Sequence, residues 1–231
     1  MIILHTAAAS LPDQILKFFQ DYLNYFPQVW KGAPVALTLT IFGILFGTII
    51  GMVVSQMKMS KVWILKKLGS FYTWFLRGTP MMVQLYFLYY GLPKMNIFLS
   101  SYMAAVIGLS LNIGAYMAEI IRGGIQAIDK GQFEAAKALG MSHWQTMKRI
   151  VIPQTVRIIL PTLGNEFITL LKDTSLVAAI ALTEVLKLTH EITSRDFNPI
   201  PAYAVAATFY LFFTSILTFL FGRLEKKLAV Y

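Results

Sequence analysis

The sequence predicts an all-α protein that crosses a membrane several times, and three observations carry that prediction. Of its 231 residues, 57% are hydrophobic, and the mean hydropathy is +0.63, values that soluble domains rarely reach. Residues 32–57, 101–118 and 199–222 contain no Asp, Glu, Lys or Arg, and each stretch is close to the ~20 residues a helix needs to cross a bilayer. The basic residues are concentrated in the segments between such stretches. A chain of this length has room for about five or six crossings and no further soluble domain of ordinary size.

In chain order, residues 11–30, "LPDQILKFFQDYLNYFPQVW", mix large apolar side chains with Asp13, Lys17 and Asp21. They read as a short amphipathic helix lying in the interface, and residues 1–31 are assigned to an extracytoplasmic N-terminal segment. Residues 32–57 form the first crossing. Gly43, Gly47 and Gly51 recur every fourth residue on one helical face, which permits close helix packing or simply reflects the tolerance of membrane helices for glycine. The second crossing, 68–90, is interrupted by Arg77 and Pro80. Its aromatics Tyr86, Phe87, Tyr89 and Tyr90 gather at the far end, where an interfacial belt is expected. Residues 101–118 form the third crossing, running on through Glu119. The fourth, 158–180, is interrupted by Glu166, Lys172 and Asp173, and the fifth is 199–222.

Five crossings put the termini on opposite sides. Lys58, Lys61, Lys66 and Lys67, the six basic residues of the loop 122–157, and Arg223, Lys226 and Lys227 make thirteen positives on one side, against five on the other. The richer side is cytoplasmic, so the N-terminus is outside and the C-terminus inside. Residues 32–226 are the membrane domain and 227–231 a cytoplasmic tail. Such a distribution also explains the formal charge of +9 without a nucleic-acid partner. The first residues, "MIILHTAAASLPDQ", lack the basic n-region of a signal peptide. Cys is absent and His5, His143 and His190 lie far apart, so no metal site or thiol chemistry is expected. No GxxxxGK[ST] run cradles phosphate.

The longest cytoplasmic loop contains "EAAKALGMSHWQTMKRIVIPQ", residues 134–154. Its alanines favour a compact helix. Asp129 is placed to cap that helix near Lys130, and Gly140 ends it or admits another backbone. Ser142 and Gln145 suit the start of a second helical segment, with Pro153 near the start of the fourth crossing. Gly123 and Gly124 are expected to set the turn into the loop. Two readings of the helix are open: docking into a groove of another protein, or lying solvated along the headgroups.

This stretch resembles the EAA loop of ABC importer permeases. The signature falls on Glu134, Ala135, Ala136, Gly140, Ile150, Ile152 and Pro153, with Ile152 in place of the usual Leu. "FLRGTPMMVQLYFLYYGLP", "NIGAYMAEIIRGGIQAIDKGQFEAAKALG" and "LLKDTSLVAAI" are similar to the polar amino acid permeases of the histidine/glutamine type. The resemblance implies the type I importer permease fold with five crossings. It also implies a second permease subunit, two ATPase subunits that hold ATP and Mg and receive the loop helix, and an extracytoplasmic solute-binding protein. The cargo would be a polar L-amino acid, and this chain would have no catalytic residues or cofactor of its own.

Charges within crossings are costly and mark a pathway or a partner charge. The candidates are Glu119, Arg122, Glu166, Lys172 and Asp173, with Arg77 another, and Gln84, Asn112, Thr174 and Ser175 as neutral hydrogen-bonding groups. Lys172 and Asp173 offer a donor and an acceptor to a zwitterion, although adjacent helix positions point about 100° apart. The bland alternative has Lys172 snorkelling and Asp173 capping a broken helix. Arg77, with Gly78 and Pro80, shapes a bend or pairs with Glu119. The connection "HEITSRDFNPIPAY" is read as an outer polar loop, open to a binding protein or merely solvated. A secondary transporter, a channel subunit and a non-transporting scaffold are the competing readings; no internal repeat supports the first, and buried charges count against the last.

Overall fold

The computed structural model describes residues 10–228, and the chain is helical almost throughout. The outermost ends, including His5 and most of the expected tail, lie outside the described residues. The helices are α1 (Leu11–Val29), α2 (Ala33–Met59), α3 (Trp63–Gly78), α4 (Met81–Tyr86), α5 (Ser101–Gln126), α6 (Lys130–Ala138), α7 (His143–Thr146), α8 (Ile152–Asp173), α9 (Val185–Asp196) and α10 (Pro199–Leu228). Among the described residues, three stretches are long and apolar enough to cross a bilayer: Leu11–Met59, Ser101–Gln126 and Pro199–Leu228.

The centre is the pair α2 and α5. A Cβ added at Gly47 would fall 1.9 Å from Ile113 Cγ2, and one at Gly51 would fall 2.5 Å from Met117 Cβ. The glycine stripe therefore lets the two backbones approach, which decides between the two readings of its spacing. Gly43 meets Leu109, Gly47 meets Ile113 and Gly51 meets Met117, so residue numbers advance together and the helices run parallel. Opposite to them runs the α3–α4 leg, with Gly69 against Lys58, Tyr72 bonded to Leu111 O, and Leu85 against Gly108. α8 also runs opposite to α5: Ile159 touches Gly124 while Leu170 reaches Gly43 beside Leu109. Leu39, Leu85, Leu109, Met117, Leu170 and Val177 fill the space between these legs.

A second core joins α1, α9 and α10 through Tyr25, Val29, Val185, Ile192, Val205 and Phe209. The N-terminal helix covers nearly the whole stretch read as helical from the sequence. It has 19 residues, connects through the tight turn Trp30–Gly32 to α2, and lies on α10, with the Tyr22 hydroxyl donating to Thr208 Oγ1 at 2.9 Å. Its other face leaves Leu11, Ile15, Leu16, Phe19 and Leu23 exposed.

Two local expectations are corrected. Gly123 and Gly124 make no turn, because α5 continues to Gln126. Gly124 is instead a packing contact, where a Cβ would lie 2.2 Å from Ile159 Cγ2. The outer connection is also not a loop up to residue 203. α9 occupies 185–196, ends at Phe197 with a left-handed φ of 52°, and α10 begins at Pro199.

Candidate functional site

The site forms where two legs are broken. α3 stops at Gly78, Thr79 and Pro80 are extended, and α4 restarts at Met81. Proline explains the break, because it disfavours helical geometry at the preceding residue and donates no N–H. Helical carbonyls freed by a break must find donors. Gln84 Nε2 donates to Leu76 O at 2.8 Å and to Thr79 Oγ1 at 2.8 Å. Asn112 Nδ2 donates to Leu76 O at 3.2 Å and to Gln84 Oε1 at 3.1 Å. In the other broken leg, α8 ends at Asp173 and the chain continues as a tighter 3₁₀ stretch, Thr174–Ile180. Asp173 makes no capping bond there, and Thr174 donates its hydroxyl to Leu171 O at 2.7 Å.

Between the breaks is a cavity of about 400 Å³ whose polar lining includes Arg77, Asn112, Tyr116, Glu166 and Asp173. Of the residues the sequence proposed, Asn112, Glu166 and Asp173 line this space together. Gln84 stands one hydrogen bond behind Asn112. Lys172 is exposed and does not line the cavity, and neither do Thr174 or Ser175. The adjacent Lys172 and Asp173 are thus separated, as one residue of helical rotation requires.

Glu119 serves a different cluster. One of its carboxylate oxygens takes Lys58, and the other takes Arg122 Nη2 at 2.7 Å. Lys58 also donates to Thr73 Oγ1 at 2.7 Å, so α2, α3 and α5 are tied at one level. Arg77 pairs with Glu119 as expected, at 3.8 Å, while its guanidinium stacks 5.2 Å from the Tyr116 ring centre. Arg77 lines the cavity as well.

The loop is built as its residues dictate. Asp129 Oδ1 accepts from Gly131 N at 2.7 Å, capping α6. Gly140 ends that helix at φ +70°, with Met141 N bonded to Ala136 O and Gly140 N to Lys137 O, both at 3.0 Å, a Schellman arrangement. Ser142 and Gln145 then form a complete capping box at the start of α7. Within the signature, Ala136 is fully buried and holds α6 down, whereas Glu134, Ala135, Gly140 and Pro153 are exposed and Ile150 is half-buried. Leu139, 80% exposed, and Trp144, 68% exposed, project from the same pair of helices. Sequence reasoning missed both, although two large apolar residues flanking a predicted helix break were a readable signal.

Near the start of α2, Glu184 is fully buried and caps α9 by accepting from Leu186 N at 2.6 Å and Lys187 N at 3.1 Å, while the Tyr210 hydroxyl donates to it at 3.0 Å. No sequence pattern marked it. Asn198 Nδ2 donates to Asp21 at 2.7 Å, and the Arg195 guanidinium holds the Asp196 carboxyl below its usual range.

Helical legs of alternating direction, broken around a charged cavity and carrying an exposed helix pair at the basic end, define a membrane transport permease. The family described as binding-protein-dependent transport system inner membrane component matches residues 43–230, and the chain belongs to it. Its kinship lies with the amino-acid ABC transporter permeases, and it is a transport subunit rather than an enzyme. It is 42% identical to the probable amino-acid ABC transporter permease protein YckA of Bacillus subtilis, across 90% of this chain and 92% of that one. It is 37% identical to the L-cystine transport system permease protein TcyB of the same organism, across 90% of this chain and 89% of that one. Among solved structures, a crystal structure of an amino acid ABC transporter with histidines superposes with a TM-score of 0.85 at 36% identity, covering 90% of this chain and 98% of that one.

Proposed function

We propose that the chain is the membrane-spanning permease of an ATP-driven importer for polar or charged L-amino acids in the bacterial cytoplasmic membrane. It crosses the membrane five times, with the N-terminus outside and the C-terminus inside. The observation that carries this reading is the cavity lined by Arg77, Asn112, Glu166 and Asp173, set between two broken legs of an otherwise apolar bundle. Charged groups at such a depth are retained for passage of a polar solute, and broken helices at a binding site recur in transporters. The amino-acid relatives support the class of cargo.

The chain works with a second permease subunit, two ATPase subunits that bind ATP and Mg, and an extracytoplasmic solute-binding protein. The Glu134–Gly140 segment, with Leu139 and Trp144, docks into an ATPase, and closure of the two ATPases rocks the permease pair between inward-open and outward-open states. Ile150 and Pro153 join that segment to α8.

The test is uptake of labelled amino acids by proteoliposomes holding the complete complex. Uptake is expected only with ATP inside the compartment facing the ATPases. Comparable uptake by the permease with no ATPase present would sink the reading and favour a secondary transporter.

A further inference from the structure

The outward face of α3 is a ladder. Trp63, Lys67, Phe71 and Phe75 recur every fourth residue and are all exposed, so they stand one above another along the helix. Lys67 Nζ lies 5.9 Å from the Trp63 ring centre, and the Phe71 and Phe75 rings stack with centres 6.0 Å apart. Beyond Phe75 the ladder opens into a cavity of about 340 Å³, walled by Phe75, Leu76, Val83, Phe87, Leu88 and Leu111. The two polar side chains at its edge are spent on each other, because Gln84 Nε2 donates to Thr79 Oγ1. Thr79 lines both this apolar space and the charged cavity. From Lys67 the rise to Phe75 is about 12 Å and to Thr79 about 18 Å, which brackets half of a bilayer's hydrocarbon core, about 15 Å. The charge at the foot of the ladder is one-sided. No Asp or Glu occurs between Asp21 and Glu119, and Glu119 is held by Lys58 and Arg122. Lys61, Lys66 and Lys67 form no ion pair among the described residues.

On the reading that places the start of α3 at the cytoplasmic surface, we propose that this face holds one phospholipid with an anionic headgroup. The headgroup sits on Lys67, with Lys66 and Lys61 beside it. One acyl chain follows Phe71 and Phe75, and its end fills the apolar cavity against the break at Thr79. Lysines at a membrane surface attract anionic lipid, whereas a zwitterionic headgroup brings its own cation and gains less. A two-fold contact with a second copy of this chain is disfavoured here, because it sets the same acid-free surface against itself. Since Thr79 belongs to both spaces, the end of the chain braces the break that shapes the charged cavity, and transport draws on the lipid.

The experiment titrates the purified permease–ATPase complex with phosphatidylglycerol or phosphatidylcholine and counts bound lipid by native mass spectrometry, which also shows that each variant is assembled. One phosphatidylglycerol per permease chain is expected, bound at least tenfold more tightly than phosphatidylcholine. Lys66→Gln with Lys67→Gln should weaken it at least tenfold. The charge-matched pair Lys226→Gln with Lys227→Gln, on the same side of the membrane, should change it less than threefold. Val83→Trp fills the cavity and should weaken long-chain phosphatidylglycerol while sparing a short-chain form that stops below Phe75. Uptake should be at least threefold faster in vesicles of equal parts phosphatidylglycerol and phosphatidylcholine than in phosphatidylcholine alone, and the Lys66 and Lys67 variant should lose that gain. Equal affinity for the two lipids, or equal losses in the two lysine pairs, would overturn the site and leave only diffuse surface charge. The sequence has no cysteine, so Phe75→Cys is a unique thiol. Its disulfide to a second permease chain would also overturn the site, by making this face a subunit contact. Lys61→Cys tests the underlying topology separately: labelling by an impermeant reagent from outside intact cells would reverse the orientation, whatever the lipid result.

Discussion

Replacing Gly140 by alanine, asparagine and tryptophan separates its backbone role from its surface role. The residue sits at φ +70°, and a Cβ built on it meets nothing within 4 Å. Any cost of alanine is therefore conformational: an L residue in the left-handed region loses about 1–2 kcal/mol, and asparagine loses less because its side chain bonds locally. If docking needs the loop in this geometry, that cost lowers ATPase affinity about 5–30-fold for alanine and little for asparagine. Tryptophan adds bulk that only a docked partner would feel, because this chain leaves the space open. The assay is titration of purified ATPase against the reconstituted permease, with thermal melting of the permease as a control. Melting should fall no further for tryptophan than for alanine, because Gly140 is exposed and belongs to neither core, so any additional loss of affinity for tryptophan comes from the docked partner. Affinity should fall in the order asparagine, alanine, tryptophan. Wild-type affinity in the tryptophan variant would refute docking at this position, and equal losses for alanine and asparagine would refute the conformational argument.

Three further outcomes are expected. Gly47→Leu forces atoms into Ile113, 1.9 Å from the first carbon added, and should destabilise the α2–α5 pair by about 1–3 kcal/mol or more; an unchanged melting temperature in detergent would contradict the close approach. Gln84→Ala leaves the Thr79 carbonyl and hydroxyl without their donor, at a cost of about 1–3 kcal/mol. Thermal melting and uptake should fall together, and a variant that melts normally would show that the break is satisfied by other means. Glu184→Ala removes the cap of α9 and the acceptor of Tyr210, with the lost cap alone worth about 0.5–2 kcal/mol. Glu184→Gln, which keeps an acceptor oxygen, should recover most of that stability, and equal melting of the two variants would argue against the cap.

Much of the fold was legible because it is written at short range. Three uncharged stretches became long helices, and the every-fourth-residue glycines became the α2–α5 contact. Asp129, Gly140, Ser142 and Gln145 took their expected capping roles, since each acts on backbone groups within a few residues. Local signals also misled. Gly123 and Gly124 resembled a turn, yet the approach of Ile159 requires a glycine within the last turn of α5, at 124. The polar run after Glu184 resembled a loop, yet that buried carboxylate starts a helix whose buried face, Val185, Thr189 and Ile192, follows helical spacing.

The sequence by itself determined that the chain is helical, that it is built for a membrane, and that the loop between α5 and α8 carries a short helix ended at Gly140. Those properties follow from hydropathy, charge placement and the bonding needs of neighbouring backbone groups. Only the tertiary structure decided which polar residues share the cavity. Lys172 and Asp173 are equal in the sequence, but one turns outward and the other inward. Glu119 is claimed by Lys58, 61 residues away, while Gln84 and Asn112 spend their donors on carbonyls that a proline set free. Helix packing brings distant partners together, and an ionised or amide group inside a bundle goes where its hydrogen bonds and counter-charges are met.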